Sequence, residues 1–281
     1  MNIKIVDQNL VGQPGLSRYI SPKFKFKTDI ENPDVVVFTD QKCFTEEVDS
    51  YDCKKVAWII EPPIINGNNH INITDAAFYK KFDYVYSYNR WIEERIDNFV
   101  FLAHGGTWLR EEDISLWDKE KSCSMIYSNK NWNAGHNQRL RVVDHLTGNF
   151  LENNIDFFGT GSSNPIDYKI EALKTYRFSI AMENEAPPFL FAPNTDYFSE
   201  KLLDCFLTGT FPIYYGNPTI KNYFNEKGMI VFNDVDNILD IYDSLSNQLY
   251  EDSLDAIKEN FEIAKKYIHP EDTIYNHLNV Q

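Results

Sequence analysis

The sequence predicts an α/β protein of two Rossmann-like domains, and three observations carry that prediction. The chain has 281 residues, about two domains' worth at roughly 100–200 residues each. Its apolar residues gather in short unbroken runs, the mark of parallel strands buried on both faces. In the second half these runs take turns with helical patterns, as strand-to-strand crossovers require.

In the first half the runs at 3–6, 34–38, 55–60, 82–86 and 99–103 read as strands, and Trp91 to Ile96 reads as a helix. Around Glu111 to Lys121 the sequence turns charged and loses its period, which reads as a linker. Beyond it, strands are expected at 124–127, 155–158, 178–182, 211–215 and 229–232. Helices are expected at about 136–153, 168–175, 199–207, 220–224 and 238–245. Five strands with crossovers make a doubly wound sheet, which receives ligands outside the carboxyl ends of its strands. A last helix, about 254–268, carries Ile257, Phe261, Ala264 and Ile268 at helical spacing and is expected to pack back on the first domain. The expected division is 1–118, 119–253 and a C-terminal helical segment 254–281.

Composition bounds the function. Lys+Arg number 27 against 42 Asp+Glu, a net charge of −15, which argues against nucleic acid or an anionic membrane as the main partner. The four cysteines, Cys43, Cys53, Cys123 and Cys205, show no C-x-x-C spacing and read as reduced thiols of a cytoplasmic protein. Neither a signal peptide nor a membrane-spanning apolar stretch is evident. The oligomeric state is not legible.

Chemistry concentrates between Tyr176 and Gly216. A strand delivers Glu183 and Asn184 at its carboxyl end, and Ser199-Glu200-Lys201 then opens a helix with Ser199 at the N-cap. This is either an anion site completed by Lys201, with Glu200 accepting from hydroxyls, or an ordinary capped helix with solvated charges. Upstream, Glu61 ends a buried strand and is followed by Pro62 and Pro63, which stiffen the turn.

The ordered blocks Y-R-F-S-I-A-M-E-N, D-Y-F-S-E-K-L-L-D and F-P-I-Y-Y-G-N-P-T-I closely resemble the donor region of the α-1,3-fucosyltransferases, glycosyltransferase family 10. The resemblance implies a GT-B fold, two Rossmann-like domains facing a cleft. It also implies metal-independent, inverting transfer of fucose from GDP-fucose to a glycan hydroxyl, with no cofactor. In that reading Arg139, Glu183, Asn184, Tyr197, Glu200 and Lys201 bind the donor, with Arg141 competing for the role of Arg139. Trp58 to Pro63 is similar to the family's E-x-P segment, which makes Glu61 the general base; the apolar run before it is expected to raise its pKa. Transfer of another nucleotide sugar, or binding without turnover, are the alternatives.

Other signals are set aside. Asp234-Val235-Asp236 imitates a D-x-D metal motif but precedes a helix, where Asp is a good N-cap. Gly159-Thr160-Gly161 lacks the third glycine of a dinucleotide fingerprint. The six histidines show no zinc spacing. His104, ahead of Gly105 and Gly106, is either an acceptor-side residue or part of a structural turn. Lys23 to Lys27 alternates like an edge strand guarded by lysines. Residues 185–196 are longer than the family's usual loop, and Phe189, Leu190 and Phe191 within them could form a lid, an acceptor wall or simple packing.

Overall fold

The structure, a computed structural model, describes residues 1–7, 15–148, 155–185 and 195–280. These divide into two units: 1–106 with 195–197 and 269–280, and 107–185 with 198–268.

The first unit is a parallel sheet of β1 (Ile3–Val6), β2 (Val35–Thr39), β3 (Lys54–Ile59), β4 (Tyr84–Ser87) and β5 (Phe99–Phe101), in that spatial order. Right-handed crossovers that keep stepping in one direction stay on one face of a sheet. That face buries Phe38, Ala57 and Val85 against Cys43, Val48, Ile73, Phe82, Ile92 and Ile96 from the connections, which include α1 (Pro63–Asn72), α2 (Ala76–Tyr79) and α3 (Arg90–Glu93). The opposite face, with Val35, Val37, Val56 and Trp58, would face water without another cover. Ile274 and Leu278 of the last helix supply it, each contributing about 1.5–3 kcal/mol of burial. The lysine run forms no strand of its own: Lys27 alone bridges Lys4 in parallel beside β1, and Phe24 stacks on Tyr275.

The second unit is a parallel sheet of β6 (Lys121–Ile126), β7 (Ile155–Phe158), β8 (Tyr176–Met182), β9 (Phe211–Tyr215) and β10 (Ile230–Phe232) in the order β10-β9-β8-β6-β7. After β6 the chain steps to one side for β7, then crosses back for β8, so the strand order reverses between β6 and β8. Its helices are α4 (Ala134–Gly148), α5 (Glu200–Phe206), α6 (Ile238–Asp243), α7 (Asn247–Asp252) and α8 (Leu254–Ala264). Helix α5 is nearly all buried: Leu202, Leu203, Cys205 and Phe206 supply its apolar surface, and the buried carboxylates of Glu200 and Asp204 are paired with Lys169.

Three expectations are revised. The expected division at 118 moves to 106/107, because the stretch expected to be a linker is strapped to the second unit. There Ser115 N–H donates to the Leu207 carbonyl, and the Lys119 ammonium donates to the carbonyls of Leu173, Lys174 and Thr208. The helix expected at 168–175 is a 3-10 turn, Lys169–Ala172. The helix that packs on the first sheet is α9 (Pro270–Val280); α8 belongs to the second unit, where Ile257 enters the core. Residues 149–153 and 186–194, the latter with the three apolar anchors, lie outside the described residues. Among the described residues no helix is long and apolar enough to cross a membrane.

Candidate functional site

The reversal between β6 and β8 is where the second unit collects its polar groups. Helix α4 starts beside Asn184 so closely that a Cβ on Gly135 would lie 2.0 Å from the Asn184 carbonyl oxygen. Only glycine allows that approach. One turn on, Arg139 is 7% exposed, and its Nη2 donates to the Met182 carbonyl at 2.7 Å and to Asn184 Oδ1 at 3.1 Å. Arg141 points elsewhere, pairing with Asp236 at 2.6 Å on the exposed face. Asp234 accepts from Asp236 N–H, the N-cap role read from the sequence. The Gly159 to Gly161 turn packs against Tyr127 at the end of β6, where a Cβ on Gly161 would meet the tyrosine ring at 2.5 Å.

Glu183 is fully buried and already engaged. Its Oε1 accepts from Ser199 N–H (2.9 Å) and Tyr214 OH (3.4 Å), and its Oε2 from Ser199 Oγ (2.7 Å) with Lys201 Nζ at 3.5 Å. It therefore anchors the start of α5. The chain of charges continues: Lys201 Nζ lies 3.0 Å from Glu200 Oε1, which Lys169 Nζ approaches to 3.5 Å while pairing with Asp204 at 2.9 Å. Burial pulls the Lys169 ammonium down, but Asp204 and Glu200 more than offset it, and its pKa rises. Burial pushes the Asp204 carboxyl up in spite of Lys169. His136 is lowered by burial first and then by the positive charges of Arg139, Lys130 and Lys201. Such a set, at the carboxyl ends of β6 and β8, can hold a polyanion and stabilise negative charge that develops on it.

In the first unit Glu61 is held from two sides. Asp40 Oδ1 accepts the N–H groups of Ile60 (2.9 Å) and Glu61 (3.2 Å), and His70 Nε2 donates to the Glu61 carbonyl at 2.8 Å. Burial takes the His70 imidazole down to about 4, so it is neutral; its Nδ1 accepts from Asn89 Nδ2 at 2.9 Å, which leaves the proton on Nε2. Pro62 and Pro63 stiffen the turn into α1. Asp40 itself is buried at a φ of 43°, in the left-handed region, and burial pushes its carboxyl up to about 7 against the pull of the two N–H groups. Backbone strain of this kind collects at functional sites. Nearby, the rings of Tyr88, His104 and Tyr197 meet with centroids 5.0–6.2 Å apart, and an antiparallel bridge between Asn89 and Thr195 fixes the segment that carries Tyr197.

The predicted residues thus fall into two groups. Arg139, Glu183, Asn184, Glu200 and Lys201 are brought together in the second unit; Glu61, His104 and Tyr197 belong to the first. Reasoning from sequence missed Asp40, His70, Asn89, Lys169 and Asp204. Asp40 had a signal, since it ends β2 as Glu61 ends β3; the others had none. Among the described residues no group of three or more His, Cys, Asp or Glu side chains could hold a metal ion.

Comparison with known proteins gives this arrangement a context. The model of glycosyltransferase family 10 (fucosyltransferase), C-terminal part, matches residues 116–270, more than half of the chain. A protein of Acanthamoeba polyphaga mimivirus named as a fucosyltransferase is 29% identical over 171 residues, 52% of this chain and 27% of the viral one. Alpha-(1,3)-fucosyltransferase FucT of Helicobacter pylori is 27% identical over 99 residues, 32% of this chain and 19% of that enzyme. The chain spans less than a third of the length of these relatives. A crystal structure of an alpha1,3-fucosyltransferase with GDP-fucose shares the fold at a TM-score of 0.54 and 16% identity, covering 95% of this chain and 90% of that one. The fold is of the GT-B class.

Proposed function

Because the chain belongs to glycosyltransferase family 10, we propose that it transfers fucose from GDP-fucose to a glycan hydroxyl, with inversion and without a metal. The observation that carries the reading is the gathering at the strand reversal of Arg139, held by the Met182 carbonyl and Asn184, and Lys201, held beside Glu183 and Glu200. There the diphosphate is held, and the charge that builds on the leaving GDP is met by fixed groups instead of a divalent ion. Glu183 orients Ser199 and Lys201 for this task, and Glu200 accepts from hydroxyls of the donor.

Glu61 is the general base. It takes the acceptor hydroxyl proton as that oxygen forms its bond to the anomeric carbon, while the bond from that carbon to the phosphate oxygen breaks and GDP leaves with the electron pair. A single displacement inverts the anomeric centre. The clamp of Asp40 and His70 on the Glu61 backbone supports the role, since a base must be held in reach of its proton. Four cysteines without a disulfide fit a reducing compartment such as the cytosol.

Calorimetric titration with GDP, GDP-fucose, GDP-mannose and UDP-glucose in chelator tests the donor half; binding of the guanosine compounds is expected. Preference for UDP-glucose, or a requirement for a divalent ion, would overturn it. For the base, Glu61→Gln should lower turnover by about 10²- to 10⁴-fold and leave GDP-fucose affinity unchanged. Undiminished turnover in that variant removes Glu61 from the mechanism.

A further inference from the structure

Glu185 stands just beyond Glu183 and Asn184 at the carboxyl end of β8. It is 3% exposed, and among the described residues neither of its carboxyl oxygens has a hydrogen-bond partner. The contrast with Glu183 two residues earlier is sharp, because that carboxylate is saturated by Ser199, Tyr214 and Lys201. The titratable groups that act on Glu185 do not relieve it: Glu183 carries the same charge, and the Tyr214 hydroxyl is turned to Glu183. A buried carboxyl with both oxygens unsatisfied costs stability, and such groups persist where a ligand completes them.

We infer that Glu185 is a specificity residue of the donor site, whose two oxygens receive a pair of N–H or O–H donors from the nucleotide sugar. Two parts of that molecule offer such a pair: the guanine edge, with its ring N–H and amino group, and neighbouring hydroxyls of the transferred sugar. A diphosphate does not fit, since it brings acceptors to an acceptor. The assignment rests on the donor site proposed above.

It carries a pH signature. Burial, then Glu183, pushes the empty carboxyl up to about 8, so at neutral pH it is mostly protonated. Ligand donors favour the ionised form, so binding releases a proton near pH 7 and affinity rises with pH up to about 8. The Tyr214 hydroxyl, which Glu185 also influences, is pushed far up by burial and does not titrate in that window.

The test is titration of GDP-fucose into wild type, Glu185→Gln and Glu185→Leu between pH 6 and 8.5, in two buffers of different ionisation enthalpy. Wild type should release protons and gain affinity with pH. Both variants should bind about 10- to 100-fold more weakly at pH 8, release none, and melt no lower than wild type. GDP at pH 8.5, where its terminal phosphate is fully ionised, separates the two sources. A loss shared by GDP and GDP-fucose assigns the guanine edge, and a loss confined to GDP-fucose assigns the sugar. Wild-type affinity and pH slope in the variants would overturn the assignment alone. Failure of wild type to bind either compound removes the donor site, and the assignment with it.

Discussion

Asp40→Asn separates the stability of the first unit from the positioning of Glu61. Asparagine tolerates the left-handed backbone at this position, and its side-chain oxygen can keep accepting from Ile60 and Glu61 N–H. What it removes is an ionisation. The folded carboxyl holds its proton up to about 7, whereas the unfolded chain releases it near the ordinary aspartate value of 3.8. Between those values the native state binds more protons than the unfolded state, so wild-type stability falls as pH rises and levels off above 7. Integrated from pH 5 to pH 8, this penalty grows by about 2.5 kcal/mol. Asp40→Asn should therefore gain that much on wild type across the interval, because other buried acids such as Glu271 contribute equally to both proteins. Urea denaturation at several pH values, followed by tryptophan fluorescence, measures the difference. Parallel stability curves for the two proteins from pH 5 to pH 8 would refute the reasoning.

Two further outcomes are expected from close contacts in the second unit. Gly135→Ala should cost about 1–3 kcal/mol and weaken GDP-fucose binding at least tenfold, because the added methyl displaces Asn184 and with it the partner of Arg139; thermal melts and calorimetry read the two effects. Lys169→Met should destabilise by about 3–5 kcal/mol by leaving Asp204 buried without its counter-ion, and adding Asp204→Asn should recover much of the loss in a double-mutant cycle.

Much of this architecture was open to reading. All ten strands among the described residues announced themselves as apolar runs, since a parallel strand buried on both faces has little room for polar residues. Arg139 was read from the sequence with Arg141 left competing, and the structure puts Arg139 on the buried stripe of α4 with Val142, Val143 and Leu146 and Arg141 on the exposed side. Other features depend on tertiary contacts that leave no local trace. The amphipathic stripe of 254–268 was legible, but a stripe does not say which core it fits. The charged stretch before β6 read as a linker because nothing local shows that Lys119 has four acceptors waiting around it. The φ of Asp40 was invisible for the same reason, as aspartate there is imposed by the groups it must reach rather than preferred by the backbone.

The cover of the first sheet by α9 also sets a timetable. A ribosome releases β1 to β5 early, yet one face of their sheet lacks Ile274 and Leu278 until the residues of the second unit have all been made. The second unit, drawn mainly from 107–268, can close its core first. The nascent first unit meanwhile presents Val35, Val37, Val56 and Trp58 to solvent, a surface suited to chaperones and exposed to aggregation. Order of synthesis and order of completion are thus inverted: the domain begun first is finished last.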